Sequence, residues 1–364
     1  MTKKIGGSAM KFIHVADIHL GATPEADTIW GKERANEISQ TFYKLIQVCE
    51  EQAIDLLLIC GDLFHRQPLL RELKEVNYMF SKLTHTRVVF IAGNHDYISS
   101  RSNLLDFVWN GNVTFFKTSQ MDSVFLEDIN TEIYGFSYTT RDIYEPRLDQ
   151  AMCTVEERIN ILMGHGGDER SLPINIKMLE KAGFDYVALG HIHKHEMFSS
   201  KIAYCGSLEP LDKTELGDHG YILGNITKSE DTTQISTEFV PFCSRQYKQI
   251  YLNLTRESTC LSLADELKEK IMKTGEEHFY QVILTGRRDP IFHVDKDALY
   301  SFGRVIDVVD QSLPDYDFDQ LLLDNKDNLI GAYIKKVRDD SENTVITQKA
   351  LYYGIEALLG TKER

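Results

Sequence analysis

No apolar run in this 364-residue chain approaches the ~20 residues needed to cross a bilayer, so the sequence offers no membrane anchor. The opening stretch MTKKIGGSAM carries two lysines but no apolar h-region before KFIHVAD, so no secretory signal is expected and the expected location is the cytoplasm. Cysteine is sparse and scattered. The six (Cys49, Cys60, Cys153, Cys205, Cys243, Cys260) form no C-x-x-C pair and no zinc-type spacing, which reads as reduced, mostly buried thiols. Positive charge is in deficit: 40 Lys and Arg stand against 55 Asp and Glu, a net charge of −15. That excludes a chain that coats itself in nucleic acid by general electrostatics, and any DNA contact must be local or shared with a partner.

Histidine is abundant instead. Of the 12, seven (His19, His65, His95, His165, His191, His193 and His195) fall in or beside Gly/Asp/Asn-rich turns that follow apolar runs. The runs are KFIHVADIH (11–19), IDLLLICGDLFH (54–65), RVVFIAGNHD (87–96), INILMGHGG (159–167) and DYVALGHIH (185–193). Runs without polar alternation suit strands buried on both faces. Amphipathic stretches at 32–52 and 69–83 separate the first three, giving β-α-β-α-β order and a layered α/β core. Shorter strand-like pieces follow at 113–136 and 197–241. After VPFCSRQ a second β-α-β-α-β pattern begins, with helices expected at 262–272 and 295–302, and a domain boundary is expected near 243. The chain then turns helical and ends in TQKALYYGIEALLG. The expected layout is an extension over 1–9, a first domain over 10–243, a small domain over 244–312 and a helical segment over 313–364.

In open α/β sheets, ligands bind beyond the carboxyl ends of the strands. Each run ends there in a residue able to hold a metal: Asp17 and His19, Asp62, Asn94, His165, and His191 with His193. Seven donors are too many for one ion that must also admit water and substrate; they suit two ions ~3.5–4 Å apart, with the Asp62 carboxylate as the natural bridge. Mixed N and O donors favour Mn²⁺, Fe²⁺ or Zn²⁺ over Mg²⁺ or Ca²⁺. Mn²⁺ is the leading expectation, with Mg²⁺ kept as an alternative. The glycines before Asp62, Asn94, His165 and His191 let the backbone turn without a side chain crowding the ions.

Taken in order, HVADIHLGA (14–22), GDLFHR (61–66), GNHD (93–96), the GH at 164–165 and GHIHK (190–194) resemble the calcineurin-like metallophosphoesterase superfamily. Within it they are similar to the SbcD-type nuclease subunit of SbcC–SbcD DNA-repair complexes, because His65 stands where the superfamily's protein phosphatases usually carry an acidic residue. The resemblance implies a layered metallophosphoesterase β-sandwich flanked by helices, a small α+β capping domain that helps hold DNA, and a C-terminal helical segment that docks on an SbcC-like coiled-coil ATPase. It also implies a homodimer. One ion would be held by Asp17, His19, Asp62 and His193, and the other by Asp62, Asn94, His165 and His191. His95 would sit beside the ions and stabilise or protonate the leaving oxygen, and His65 would help place the substrate. The implied reaction is two-metal hydrolysis of phosphodiesters at DNA ends, with endonuclease action on single strands or hairpins, in repair, recombination and replication.

Two other readings compete. A phosphodiesterase for a small substrate such as a cyclic nucleotide has less need of a cap and long C-terminal helices. A scaffold subunit with a decayed site fits poorly with a complete donor set. Arg287 and Arg288 read either as phosphate contacts or as a solvated turn, and His195, beyond the GHIHK motif, reads as a residue outside the ligand set.

Overall fold

The computed structural model describes residues 8–230, 232–339 and 344–360. These divide into two compact units that meet in sequence between Gln246 and Tyr247. Of the extension expected over 1–9, residues 1–7 lie outside the described part, whereas Ser8 and Ala9 already belong to the first strand.

The first unit opens with β1 (Ser8–Val15), α1 (Gly31–Glu51), β2 (Leu56–Cys60), α2 (Leu70–Phe80), β3 (Arg87–Ile91) and β4 (Val113–Phe115). It continues through β5 (Asp122–Leu126), β6 (Thr131–Gly135), β7 (Ile159–His165), the short α3 (Ile176–Leu179), β8 (Tyr186–Gly190), β9 (Glu196–Ser199) and β10 (Ile202–Tyr204), and closes with β11 (Gly220–Lys228) and β12 (Thr233–Pro241). Two six-stranded sheets result, ordered β12-β11-β1-β2-β3-β4 and β5-β6-β7-β8-β10-β9. Strands β1 to β4 are mutually parallel, as are β6, β7, β8 and β10. The loops after the parallel strands of each sheet therefore leave from one edge.

Strand periodicity explains the layering. In β2, Leu57 and Ile59 pack with Phe42, Leu45 and Ile46 of α1 and with Leu73, Val76 and Phe80 of α2, while Leu56, Leu58 and Cys60 pack against Ile161 and Met163 of β7 and Ala188 of β8. Both faces of the strand are buried, which is why the run shows no polar alternation. The buried side of α1 recurs at Ile38, Phe42, Leu45, Ile46 and Cys49, the spacing of one helical face. The outer face of the second sheet is covered by loops and α3, through Leu148, Leu172, Leu179 and Phe184. A β-sandwich flanked by helices is thus the observed architecture.

The second unit holds β13 (Tyr247–Leu254), α4 (Cys260–Thr274), β14 (Phe279–Arg288), α5 (Lys296–Tyr300), β15 (Val305–Asp310), β16 (Leu313–Pro314), α6 (Phe318–Asp324), α7 (Leu329–Asp339) and α8 (Val345–Gly360). Strands β13, β14 and β15 are parallel, and β16 pairs with the end of β14. Helix α4 starts where the Thr259 hydroxyl accepts from the Ser262 amide and Ser262 returns the bond, a reciprocal cap. Its Leu263, Leu267 and Ile271 then face the sheet. Arg287 and Arg288 are neither a turn nor free: β14 runs through both, Arg287 donates to the Tyr352 hydroxyl and Arg288 pairs with Glu356 at 2.9 Å. Among the described residues, no helix is long and apolar enough to cross a membrane.

Candidate metal centre

The five loops at the carboxyl edges of β1, β2, β3, β7 and β8 converge. Asp17 N donates to Gly61 O at 3.1 Å and His19 N to Asp62 O at 3.0 Å, so the first two loops run side by side. Their backbones are forced. Asp17, His19, Asp62 and His191 have φ of +51°, +51°, +49° and +93°, a region that costs a non-glycine residue about 1–3 kcal/mol. Gly61 takes φ +89°, and at Gly93 a Cβ would sit 2.3 Å from Asp62 Oδ1 and 2.6 Å from His165 Nε2. Glycine at 93 lets the β3 loop pass directly beneath the donors.

Backbone amides hold the two carboxylates. His191 N donates to Asp17 Oδ2 at 2.8 Å, and His95 N donates to Asp62 Oδ1 at 2.9 Å. The remaining oxygens face imidazoles: Asp17 Oδ1 lies 3.9 Å from His19 Nε2 and 3.8 Å from His193 Nε2, while Asp62 Oδ2 lies 3.8 Å from His19 Nε2 and 3.3 Å from His165 Nε2. The Asn94 side-chain oxygen stands 3.0 Å from His165 Nε2 and 3.1 Å from His191 Nδ1. His19 Nε2 and His193 Nε2 face each other at 3.2 Å. All seven expected donors therefore meet at one place, and Asp62 faces donors of both expected sets.

Whether these donors fit a cation can be asked of the atoms themselves. His165 Nδ1 donates to Cys60 O at 2.8 Å, which turns the Nε2 lone pair toward Asp62 and Asn94, where it meets acceptors only. Asp17 Oδ1 is buried with no hydrogen-bond partner. A buried, unpaired carboxylate oxygen costs several kcal/mol unless a positive charge compensates it. In the metal-free chain protons take that place. Burial opposes a charged ring at His165, but the neighbouring Asp62 and Asp17 outweigh it and push the group up to about 9. At His193 burial is likewise overcome by Glu215 and Asp17, again to about 9. Burial penalises the Asp62 charge too, yet His165 and His19 hold its carboxyl well below the usual range. Inward lone pairs, an orphan oxygen and borrowed protons are what a divalent-ion site presents without its ions. Three close donor groups are Asp17–His19–His193, Asp17–Asp62–His165 and His19–His65–His95. Asp17 thus reaches toward the second expected set as well, which the sequence pattern does not anticipate.

His95 and His65 form the rim. His95 Nδ1 donates to His65 O at 3.0 Å, their rings stack at 5.1 Å, and the His95 ring lies 4.8 Å from that of His19. His195 is elsewhere: its ring stacks on Phe239 at 4.1 Å and Nδ1 donates to Tyr204 O.

Three carboxylates of the site went unnoticed in the sequence. Asp96, the last residue of GNHD, is buried and accepts from Gly93 N at 2.8 Å and Phe64 N at 3.1 Å, tying the β3 loop to the β2 loop; burial and Asp62 push it up to about 7. Asp168 lies 2.8 Å from His191 Nε2, and Glu215 lies 2.7 Å from His193 Nδ1. Asp168 follows the GH of the fourth run by three residues and could have been suspected; Glu215, in KTELGD, carries no signal.

Comparison with known proteins gives the family. The profile of the calcineurin-like phosphoesterase family matches residues 10–195, a little over half of the chain. The chain is 26% identical over 302 residues to the metallophosphoesterase YhaO of Bacillus subtilis, covering 76% of this chain and 72% of that one. It is 30% identical over 232 residues to the DNA double-strand break repair protein Mre11 of Methanocaldococcus jannaschii, covering 58% and 59%. With the SbcD component of the nuclease SbcCD of Staphylococcus epidermidis it shares 26% over 274 residues, covering 64% and 69%. It therefore spans less than two thirds of that Mre11.

Proposed function

Since this chain belongs to the calcineurin-like phosphoesterase family, and is by that membership a metal-dependent phosphoester hydrolase, we propose that its substrate is DNA and that it is a nuclease of the Mre11/SbcD kind. The observation that carries the reading is the convergence of Asp17, His19, Asp62, Asn94, His165, His191 and His193, with Asp17 Oδ1 buried among them without a hydrogen bond. Asp17, His19, Asp62 and His193 hold one divalent ion, and Asp62, Asn94, His165 and His191 the other, with Mn²⁺ the preferred metal. When bound, such ions supply Lewis-acid polarisation of the phosphoryl oxygens and a lowered pKa for water.

The chain's own residues do the rest. The amides of His95 and His191 fix the Asp62 and Asp17 carboxylates, so little reorganisation is needed when substrate arrives. His95, with Nδ1 committed to His65 O, presents Nε2 to pass a proton to the leaving oxygen. His65, exposed beside it, helps seat the substrate. The second unit's sheet domain acts as a cap over DNA, its C-terminal helices dock on an SbcC-like ATPase, and the active species is a cytoplasmic homodimer. A net charge of −15 supports the need for that partner, since this chain alone holds DNA weakly.

The test is Mn²⁺-dependent release of nucleotides from linear duplex DNA beside hydrolysis of bis-p-nitrophenyl phosphate. Cleavage of both is expected, with DNA cleavage increased by the ATPase. Hydrolysis of the small ester with no cleavage of any DNA, ATPase included, would overturn the nuclease reading in favour of a small-substrate phosphodiesterase.

A further inference from the structure

We propose that Asp168 and Glu215 are positioning residues that set the two histidines of GHIHK as donors, one carboxylate to each ring; the idea rests on the metal-centre reading above. The geometry is reciprocal. At His191 the carboxylate of Asp168 takes the Nε2 proton at 2.8 Å and leaves Nδ1 facing the Asn94 oxygen at 3.1 Å. At His193 the carboxylate of Glu215 takes the Nδ1 proton at 2.7 Å and leaves Nε2 facing Asp17 Oδ1 and His19. Two histidines two residues apart on one loop thus turn opposite ring nitrogens inward, and each is fixed by an acidic partner from a different loop. A carboxylate on the far nitrogen fixes the tautomer and raises the basicity of the near one.

Both carboxylates are anchored by their second oxygen, which distinguishes them from mobile surface acids. Asp168 Oδ1 accepts from Arg170 N at 2.7 Å and Ser171 N at 2.8 Å, in a loop held to Ile143 by a parallel bridge. Glu215 Oε2 accepts from Leu211 N at 2.8 Å. Neither position can be an amide without loss, because the amide nitrogen would face a donor on one side or the other. The two differ in setting. The Asp168 side chain is 51% exposed on the wall of a cleft that also includes Asn94, whereas that of Glu215 is 19% exposed. Water competes more strongly for Asp168, so its effect is the smaller and the more salt-sensitive of the two.

The experiment is calorimetric titration of Mn²⁺ into the metal-stripped full chain and its Asp168→Asn, Asp168→Ala, Glu215→Gln and Glu215→Ala variants, with the histidine ring ¹⁵N signals recorded on the same metal-stripped samples at a pH alkaline enough that both rings are neutral. Each loss is expected to weaken Mn²⁺ binding by about 10–100-fold, Glu215 variants more than Asp168 variants, and the amides less than the alanines. In the ring spectra, the proton on Nε2 of His191 loses its fixed position in the Asp168 variants only, and that on Nδ1 of His193 in the Glu215 variants only. Affinity within twofold of the parent together with unchanged ring signals would overturn the proposal. If the parent chain binds no Mn²⁺, the metal-centre reading falls instead, and the ring spectra still decide whether the carboxylates set the tautomers.

Discussion

Two regions of this molecule use the same parallel-strand layout and end their strands in opposite ways. In the first unit the carboxyl ends of β1, β2, β3, β7 and β8 deliver donors into a common space. All eight non-glycine residues with positive φ among the described residues lie in this unit, and four of them are candidate ligands. In the second unit the strand ends are tied down: Arg256 pairs with Asp315 at 2.6 Å, Arg287 bonds Tyr352 and Arg288 pairs with Glu356. Among the described residues it holds no cluster of metal-type donors. Topology is shared, so chemistry comes from what each strand end carries, and from whether the surrounding structure can support strained backbone and unpaired carboxylates there.

The sharpest way to break the contrast is to remove the residue that faces both donor sets. Asp62→Asn is expected to lower Mn²⁺-dependent hydrolysis of bis-p-nitrophenyl phosphate by on the order of 10³-fold, the worth of several kcal/mol of transition-state stabilisation. It should also abolish the rise in melting temperature that saturating Mn²⁺ gives the parent, a linkage term of about 2.7 kcal/mol at a hundred times Kd. Hydrogen exchange in β13 to β15 should not change. Retained metal stabilisation in the variant would show that the first unit's strand ends do not work as one site.

A second difference lies inside the sandwich. His14 is fully buried on β1, with Nδ1 2.9 Å from the Tyr186 hydroxyl on β8, so it bonds across the two sheets. Burial lowers its pKa to about 3, which means the native ring is neutral where the unfolded one titrates near 6.5. Stability from this group is fully present above pH ~6.5 and is lost as pH falls from there toward 3, because the unfolded chain then binds a proton that the folded chain refuses. Near pH 5 the loss amounts to about 1.4 kcal/mol per pH unit. Denaturation of the metal-free chain at several pH values should show stability falling with pH in this range, and His14→Gln should make the slope shallower by about that amount. A slope equal to the parent's in His14→Gln would mean the ring is protonated in the fold.

In the second unit the matching test is structural. Arg288→Ala removes a nearly buried guanidinium from Glu356 and from Phe292 O, and is expected to cost about 1–2 kcal/mol, since the carboxylate partner is half exposed. Faster hydrogen exchange over α8 would report it, with hydrolysis of the small ester unchanged. A fall in small-ester hydrolysis of tenfold or more would give this arginine a role in chemistry that its partners do not indicate.

Much of the first unit was legible because a strand buried on both faces, followed by a donor residue with glycine before it in four of the five runs, is a local signal. The runs ending in Asp17, Asp62, Asn94, His165 and His191 needed no knowledge of their neighbours to be marked. What stayed hidden depends on distant loops meeting. Glu215 reaches His193 from 22 residues away, and nothing in KTELGD foretells it. The arginines that end β14 were left between two readings for a related reason: a pair of cations beside Asp-Pro looks like a solvated turn until the strand is seen to run through them and α8 supplies Tyr352 and Glu356. The cysteines were read as mostly buried, and three of the six are.

The smallest expected effect concerns the third of the alternating histidines in GHIHKH. Period-two spacing turns His191, His193 and His195 to one side only while the chain remains a strand, but β8 ends at Gly190 and His191 adopts φ +93°, so the alternation is broken before it begins. His195 consequently stacks on Phe239 of β12, away from the donors. His195→Ala should therefore cost about 1 kcal/mol of stability through the lost ring contact and leave ester hydrolysis within about twofold. His193→Ala, two residues earlier, should lower hydrolysis as Asp62→Asn does. Equal losses from the two substitutions would mean that the loop after β8 continues the strand's facing pattern and that His195 belongs to the site.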